Sequence, residues 1–121
     1  LGNLGGDQLV KFEPGAVVAP GITSVAAFGH TPGHTLFRMD SEGQSFAYVA
    51  DITNVPSLFA RAPDWSVVFD MNPAMARASR RRIFDMLVKD KMMAGGFHFP
   101  FPAFGTMEAS GNGYQFKPVA A

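Results

Sequence analysis

The sequence has 121 residues, with ten acidic and ten basic side chains. This length suits one small domain with a single core, and the balanced charge argues against a nucleic-acid-binding surface. Cysteine is absent, which excludes disulfides, thiolate metal sites and cysteine nucleophiles. No apolar run approaches the length of a membrane-spanning helix and no signal peptide is visible, so we expect a soluble protein.

Two extended segments are predicted in the first part of the chain. Residues 9–18 predict an extended segment that is interrupted at Pro14-Gly15. Residues 22–28 are apolar and rich in β-branched side chains, and a glycine flanks them on each side. This pattern predicts a buried strand.

The motif GHTPGHT, residues 29–35, contains two of the three histidines. His30 and His34 are four residues apart, and on a helix this spacing would place both on one face around a metal ion. Pro32 and Gly33 disfavour a helix, because proline lacks an N–H and glycine costs about 1 kcal/mol there. The motif therefore predicts a tight loop that directs at most one of the two imidazoles to a common point.

A β-hairpin is predicted after this loop. Residues 35–40 and 45–51 predict its two strands, and the sequence SEGQ at 41–44 predicts the turn. Asp51 then lies at the C-terminal end of the second strand. Loops at strand ends commonly carry the functional side chains of sheet proteins.

One long helix is predicted over residues 73–90, after a helical turn at 56–61. Asn72-Pro73 predicts its start, since asparagine is a favoured N-cap and proline is favoured at the first helical position. Apolar side chains at helical spacing predict a buried face made of Ala76, Ile83, Phe84 and Leu87. The basic side chains are predicted to lie mostly outward, on a solvated face: Arg77, Arg80, Arg81 and Lys89.

The last part of the chain predicts a strand followed by a hairpin. Residues 92–98 predict a short strand that leads into a loop, so His98 also follows a strand. FPFPAFG at 99–105 is too rich in proline for a central strand. Gly111-Asn112-Gly113 predicts the turn between two short final strands.

His34, Asp51 and His98 follow one another along the chain at separations of 17 and 47 residues. GHTPGHT, a hairpin ending in Ala50-Asp51, a helix and a late histidine together resemble the second half of the metal signature of metallo-β-lactamase-fold hydrolases. The tail, GFHFPFPAFG followed by GNGYQFKPV, resembles the methyl parathion hydrolase branch, which includes lactonase-like relatives. The similarity covers about Gly21 to Val119.

The resemblance implies an α/β (α+β) fold, namely half of a metallo-β-lactamase αββα sandwich. Its sheet would be mixed and mostly antiparallel, with one main helix at about 73–90. The family's first metal motif, His-x-His-x-Asp-His, does not occur, because the three histidines form no His-x-His pair. We therefore expect residues 1–121 to be the C-terminal portion of such a domain, without the N-terminal half that carries this motif.

The resemblance also implies a dinuclear metal site. His34 would bind one metal ion, His98 the other, and Asp51 would bridge them. Zinc is expected, with manganese or iron as alternatives, because imidazole and carboxylate ligands suit these ions. A hydroxide that bridges the metal ions would hydrolyse a lactone, an ester or a phosphotriester. His30 is expected to stabilise the loop behind the ligands.

Each of these assignments has a structural alternative. A histidine such as His34 or His98 can be buried against a backbone carbonyl or packed in a core, and Asp51 can cap a turn. Three aromatic side chains are expected either to line an apolar substrate pocket or to pack the sheet edge: Phe99, Phe101 and Phe104.

Two functions are therefore considered. In the first, the chain is a fragment of a metal-dependent hydrolase for small molecules, inactive alone because three ligands are too few for two metal ions. In the second, it is a non-catalytic, degenerate domain. Both predict association with the N-terminal half of the fold or with another copy, because half of a two-layered fold exposes an apolar face. No nucleic-acid or membrane partner is expected.

Overall fold

A mixed sheet of seven strands organises the structure, a computed structural model that describes residues 9–120. The strands lie in chain order across the described sheet: β1 Val17–Ala19, β2 Ile22–Ala26, β3 Thr35–Ser41, β4 Gln44–Tyr48, β5 Met93–Gly95, β6 Phe104–Ser110 and β7 Gly113–Pro118. Neighbouring strands pair antiparallel, except that β4 and β5 are parallel. The prediction of a mixed, mostly antiparallel sheet is confirmed.

Both predicted hairpins are present. In the β3–β4 hairpin, Glu42 and Gly43 form the turn in the left-handed region, with φ of 50° and 77°. Gly111 and Asn112 connect β6 to β7. The strand predicted over 45–51 is shorter, because Ala50 takes a φ of 47° and turns the chain away from the sheet. The strand predicted over 22–28 ends earlier as well, and most of its residues are only half-buried.

Two helices of the described chain, α1 (Pro56–Arg61) and α2 (Pro73–Lys89), occupy the connection between β4 and β5. Asn72 caps α2, because its side-chain oxygen accepts the Met75 N–H at 3.0 Å. The predicted start of the long helix is confirmed, and its end is one residue earlier than expected. No helix within residues 9–120 is long and apolar enough to cross a membrane.

The core lies between these helices and one face of the sheet. The predicted apolar face of α2 is buried, and it packs against fully buried sheet residues such as Leu36, Ala47 and Ala94. Burying a leucine, isoleucine or phenylalanine side chain contributes about 1.5–3 kcal/mol. This face therefore holds the helices onto the sheet and fixes the loops between them.

The other face of the sheet is also apolar. Strand register places five large side chains side by side on it, and all are only half-buried: Phe37, Met39, Phe46, Tyr48 and Met93. The Phe12 ring contacts Phe37 edge-on, with the ring centres 6.2 Å apart. The described structure is thus an open sheet with helices on one side, as expected for part of an αββα sandwich.

The predicted outward position of Arg80 is wrong. Its side chain is 2% exposed and lies on the same side of α2 as Ala76, Ile83 and Leu87. Its length lets the guanidinium reach backbone carbonyls of the α1 region instead of water. Charge alone led to the outward assignment, whereas helical spacing places position 80 on the buried face.

Candidate metal centre

His34, Asp51 and His98 lie at one end of the sheet. His34 directly precedes β3, whereas Asp51 and His98 follow β4 and β5 by three residues each. Because β3 and β4 are antiparallel and β4 and β5 are parallel, the start of β3 and the C-terminal ends of β4 and β5 lie at the same end of the sheet. The topology therefore brings together the three residues that the sequence singled out.

His34 has both ring nitrogens engaged. The residue is 7% exposed, and Nδ1 donates to the Ala27 carbonyl at 2.8 Å. A carbonyl oxygen can only accept, so Nδ1 carries the proton. Nε2 is then the acceptor, and it accepts the backbone N–H of Asp51 at 3.1 Å. A second-nitrogen bond to a backbone carbonyl is the arrangement that fixes metal-binding histidines in one tautomer.

The GHTPGHT segment is the tight loop that its proline and glycines predict. Ala27 N–H donates to the His34 carbonyl at 2.9 Å across its base, and Gly29 N–H donates to the Thr31 carbonyl at 3.0 Å. Gly29 has a φ of 129°, and a Cβ there would lie 2.1 Å from the Ala76 nitrogen. Only glycine permits this approach of the loop to the first turn of α2.

Asp51 and His98 are in direct contact. Asp51 Oδ1 lies 3.0 Å from His98 Nε2, and the two side chains are 31% and 45% exposed. Ala50, in the left-handed region, directs the loop that carries Asp51. A Cβ on Gly96 would lie 2.9 Å from the Ala50 carbonyl oxygen, so glycine at position 96 lets the two loops approach each other.

His30 points to a different partner. Its Nδ1 lies 3.1 Å from Asp70 Oδ1, and its ring meets the His34 ring edge-on with the centres 5.6 Å apart. Asp70 is itself buried, and its other oxygen lies 3.8 Å from Arg80. Asp70 was not predicted as part of the site, and Arg80 was predicted to point outward. A lone aspartate in the otherwise apolar run VVFDM could have indicated that Asp70 is buried and paired.

The three phenylalanines that were considered for a pocket occupy different environments. Phe99 is buried and packs edge-on against Phe116 at 4.9 Å, whereas Phe101 is largely exposed and Phe104 is half-buried in β6. Two surface cavities, of about 440 and 870 Å³, lie at the opposite end of the sheet. The pocket role of the phenylalanines stays a prediction.

The donor chemistry at this edge fits a divalent cation. Imidazole and carboxylate groups meet at Asp51, and the tautomer of His34 leaves Nε2 as its acceptor. Imidazole and carboxylate groups bind a metal ion in their unprotonated forms. Within residues 9–120, however, no three His, Asp or Glu side chains are arranged around one point that could hold a metal ion.

The fold is that of part of a metallo-β-lactamase-type domain, similar to its lactonase-like members. AidC, a dizinc quorum-quenching lactonase solved with the product N-hexanoyl-L-homoserine, aligns with a TM-score of 0.88 and 26% identity over 94% of this chain. AbOPH, a hydrolase of the β-lactamase superfamily, aligns with a TM-score of 0.80 and 25% identity over 85%. An N-acyl homoserine lactone hydrolase with product at its catalytic metal centre shares the fold, with a TM-score of 0.58 and 22% identity over 77%.

The chain spans only 39%, 36% and 40% of the lengths of these three proteins. Neither a protein-family model nor a curated protein matches the sequence.

Proposed function

We propose that this chain is part of a dinuclear metal-dependent hydrolase, in which His34 and His98 each bind one of two divalent metal ions and Asp51 bridges them. The observation that supports this most is the position of Asp51. Its backbone N–H contacts Nε2 of His34, and its carboxylate contacts Nε2 of His98. Similarity to a dizinc lactonase supports zinc as the metal.

The residues of this chain have distinct tasks in that centre. The Ala27 carbonyl holds the proton of His34 on Nδ1, so Nε2 carries the lone pair, and a metal ion there would replace the Asp51 N–H that Nε2 accepts in this structure. The Asp51 carboxylate supplies negative charge beside the His98 imidazole. Two bound divalent ions would supply a water of lowered pKa and would polarise a carbonyl or phosphoryl oxygen, as lactone, ester or phosphotriester hydrolysis requires.

Three protein ligands are too few for two such ions, since a catalytic zinc ion normally takes three of its own. The proposal therefore includes a second source of ligands, namely the N-terminal half of the fold with its His-x-His-x-Asp-His motif, or another copy. The apolar sheet face formed by Phe37, Phe46 and Tyr48 supports this partner, because contiguous apolar surface favours association. We expect the isolated chain to be inactive and to self-associate.

One observation favours a second candidate function. The described residues form no three-ligand metal group. A degenerate domain that keeps the fold for association, without catalysis, would have the same property.

The deciding experiment is metal content per chain, by elemental analysis after purification without chelator, alongside intact mass. We expect near zero for the chain alone and about two divalent ions per chain in complex with a segment that carries His-x-His-x-Asp-His. Hydrolysis of an N-acyl homoserine lactone and of a phosphotriester should then appear only in the complex.

The Asp51→Asn variant should lose metal and activity in the complex, because a neutral amide cannot bridge two cations. Asp64→Asn is the matched control, since Asp64 pairs with Arg81 on the exposed surface. A complex that forms but binds no metal, or an Asp51→Asn complex with full metal content, would contradict the dinuclear proposal and favour the degenerate domain.

A further inference from the structure

A buried cation lies behind the candidate metal centre. Arg80 Nε donates to the Ile52 carbonyl at 2.9 Å, and Nη1 donates to the carbonyls of Pro63 at 2.9 Å and Trp65 at 2.5 Å. The Phe59 ring centre lies 4.8 Å from its guanidinium carbon. Burying a charge is costly unless several partners compensate. One of these partners, Ile52, is the residue directly after Asp51.

Asp70 is the counter-ion of Arg80. Its Oδ2 lies 3.8 Å from Arg80 Nη2 and accepts the Val67 N–H at 3.3 Å, while its Oδ1 lies 3.1 Å from His30 Nδ1. The side chains of Asp70 and Arg80 are both 2% exposed. The ion pair is thus shielded from water and is joined directly to the GHTPGHT loop.

Backbone bonds reinforce the same connection. Met71 N–H donates to the His30 carbonyl at 3.2 Å, and Asn72 N–H donates to the Gly29 carbonyl at 2.8 Å. The segment that carries Asp70 and the loop that carries His34 therefore form one hydrogen-bonded unit at the start of α2.

We propose that Arg80, with Asp70 as its counter-ion, is a positioning residue for the metal centre and holds the Asp51 loop in a fixed relation to the His34 loop. Arg80 holds the carbonyl of Ile52, the residue after Asp51, while Asp70 holds His30, whose ring packs on His34. The role in catalysis rests on the proposed function. The restraint itself concerns only residues of this chain and is measurable without metal.

The Arg80→Lys variant distinguishes the positioning role of Arg80 from the effect of its positive charge alone. It keeps the positive charge, but a single ammonium group cannot reproduce the planar guanidinium, whose N–H groups donate to carbonyls in different directions. Arg80→Lys should therefore release the Ile52 carbonyl while leaving Asp70 with a cation nearby. Arg77→Lys is the matched control on the same helix, because Arg77 donates to the Ser66 hydroxyl at 2.9 Å on the exposed side.

The test is amide hydrogen exchange of the full chain, measured by NMR without metal. In Arg80→Lys, the Asp51 amide, which donates to His34 Nε2, should exchange about 10-fold faster or more, while core amides such as that of Ala47 change less than about 2-fold. Arg77→Lys should leave both unchanged. An Asp51 amide at the wild-type rate, or acceleration of Asp51 and Ala47 by the same factor, would overturn the proposal.

Asp70→Asn provides a second, isosteric test should Arg80→Lys not fold. It removes the counter-ion but leaves the carbonyl bonds of Arg80 in place. The nitrogen shift of His30 Nδ1 should change, and the Asp51 amide should exchange faster by a smaller factor than in Arg80→Lys. A wild-type Asp51 rate in Asp70→Asn would overturn the coupling between the two loops. Absence of metal from every assembly would contradict the proposed function and leave this exchange result intact.

Discussion

Asp51 donates its backbone N–H to Nε2 of His34 at 3.1 Å, across 17 residues of sequence. The bond joins the loop before β3 to the loop after β4 and satisfies the second nitrogen of a buried imidazole. His34 therefore has a structural role in this arrangement, and its Nε2 would bind a metal ion only in place of the Asp51 N–H. His98, by contrast, contacts Asp51 through partly exposed side chains.

His34→Ala is expected to lower the free energy of unfolding by about 2–4 kcal/mol. The substitution leaves the Ala27 carbonyl and the Asp51 N–H without a partner and creates a cavity. His98→Ala should change it by less than about 1 kcal/mol, because polar contacts between partly exposed side chains contribute little. Urea unfolding followed by circular dichroism measures both values. Equal effects of the two substitutions would contradict the distinction.

Gly29 and Gly33 offer a matched pair within one motif. Gly29→Ala should destabilise the chain by about 3 kcal/mol or more, because its Cβ would lie 2.1 Å from the Ala76 nitrogen and its φ is 129°. A Cβ on Gly33 would meet nothing within 4 Å. Gly33→Ala is expected to be neutral or stabilising by up to about 1 kcal/mol. Thermal unfolding of the two variants tests this prediction. A Gly29→Ala chain with the same melting temperature as the wild type would refute the packing argument.

Tyr114 should make stability depend on pH in the alkaline range. Burial raises the pKa of Tyr114 to about 12 from its ordinary 10.0, and its bond to Asp85 adds to the rise. The folded state thus favours the protonated phenol. Its contribution is fully present below pH about 10 and is lost as the pH rises towards about 12.

Phenolate absorbance, compared between the wild type and Tyr114→Phe, measures that titration. The stability of the wild type should fall relative to Tyr114→Phe between pH about 10 and 12. At neutral pH the variant should be about 1 kcal/mol less stable, because it loses the bond to Asp85. A Tyr114 phenol that titrates at its ordinary pKa would contradict the burial argument.

Local chemistry in the sequence was enough to locate the hairpins and the long helix. Glu42-Gly43 and Gly111-Asn112 are turn sequences between alternating segments, and Asn72-Pro73 carries both an N-cap and a proline at the first helical position. The sequence predicted that His34, Asp51 and His98 lie next to strands, but their position at one end of the sheet depends on the parallel β4–β5 pairing, which the sequence did not identify.

The buried pair of Arg80 and Asp70 could not be predicted in the same way. An arginine on a helix is normally outward, and only the positions of the Ile52 and Pro63 carbonyls make the interior acceptable to it. Those carbonyls belong to irregular segments, and the path of an irregular segment cannot be predicted from a repeating hydrophobic pattern. For the same reason, the contact of His30 with Asp70, 40 residues away, could not be predicted from the sequence.

The parallel pairing of β4 with β5 separates the contacts of the candidate metal centre along the sequence. Parallel neighbours need a long crossover, and here the crossover contains both helices. The contact of His34 with Asp51 spans 17 residues around one hairpin, whereas the contact of Asp51 with His98 spans 47 residues and the whole crossover. Contacts between residues distant in sequence form slowly. We therefore expect the His34–Asp51 contact to form before the Asp51–His98 contact, and a nick in the crossover to delay only the second.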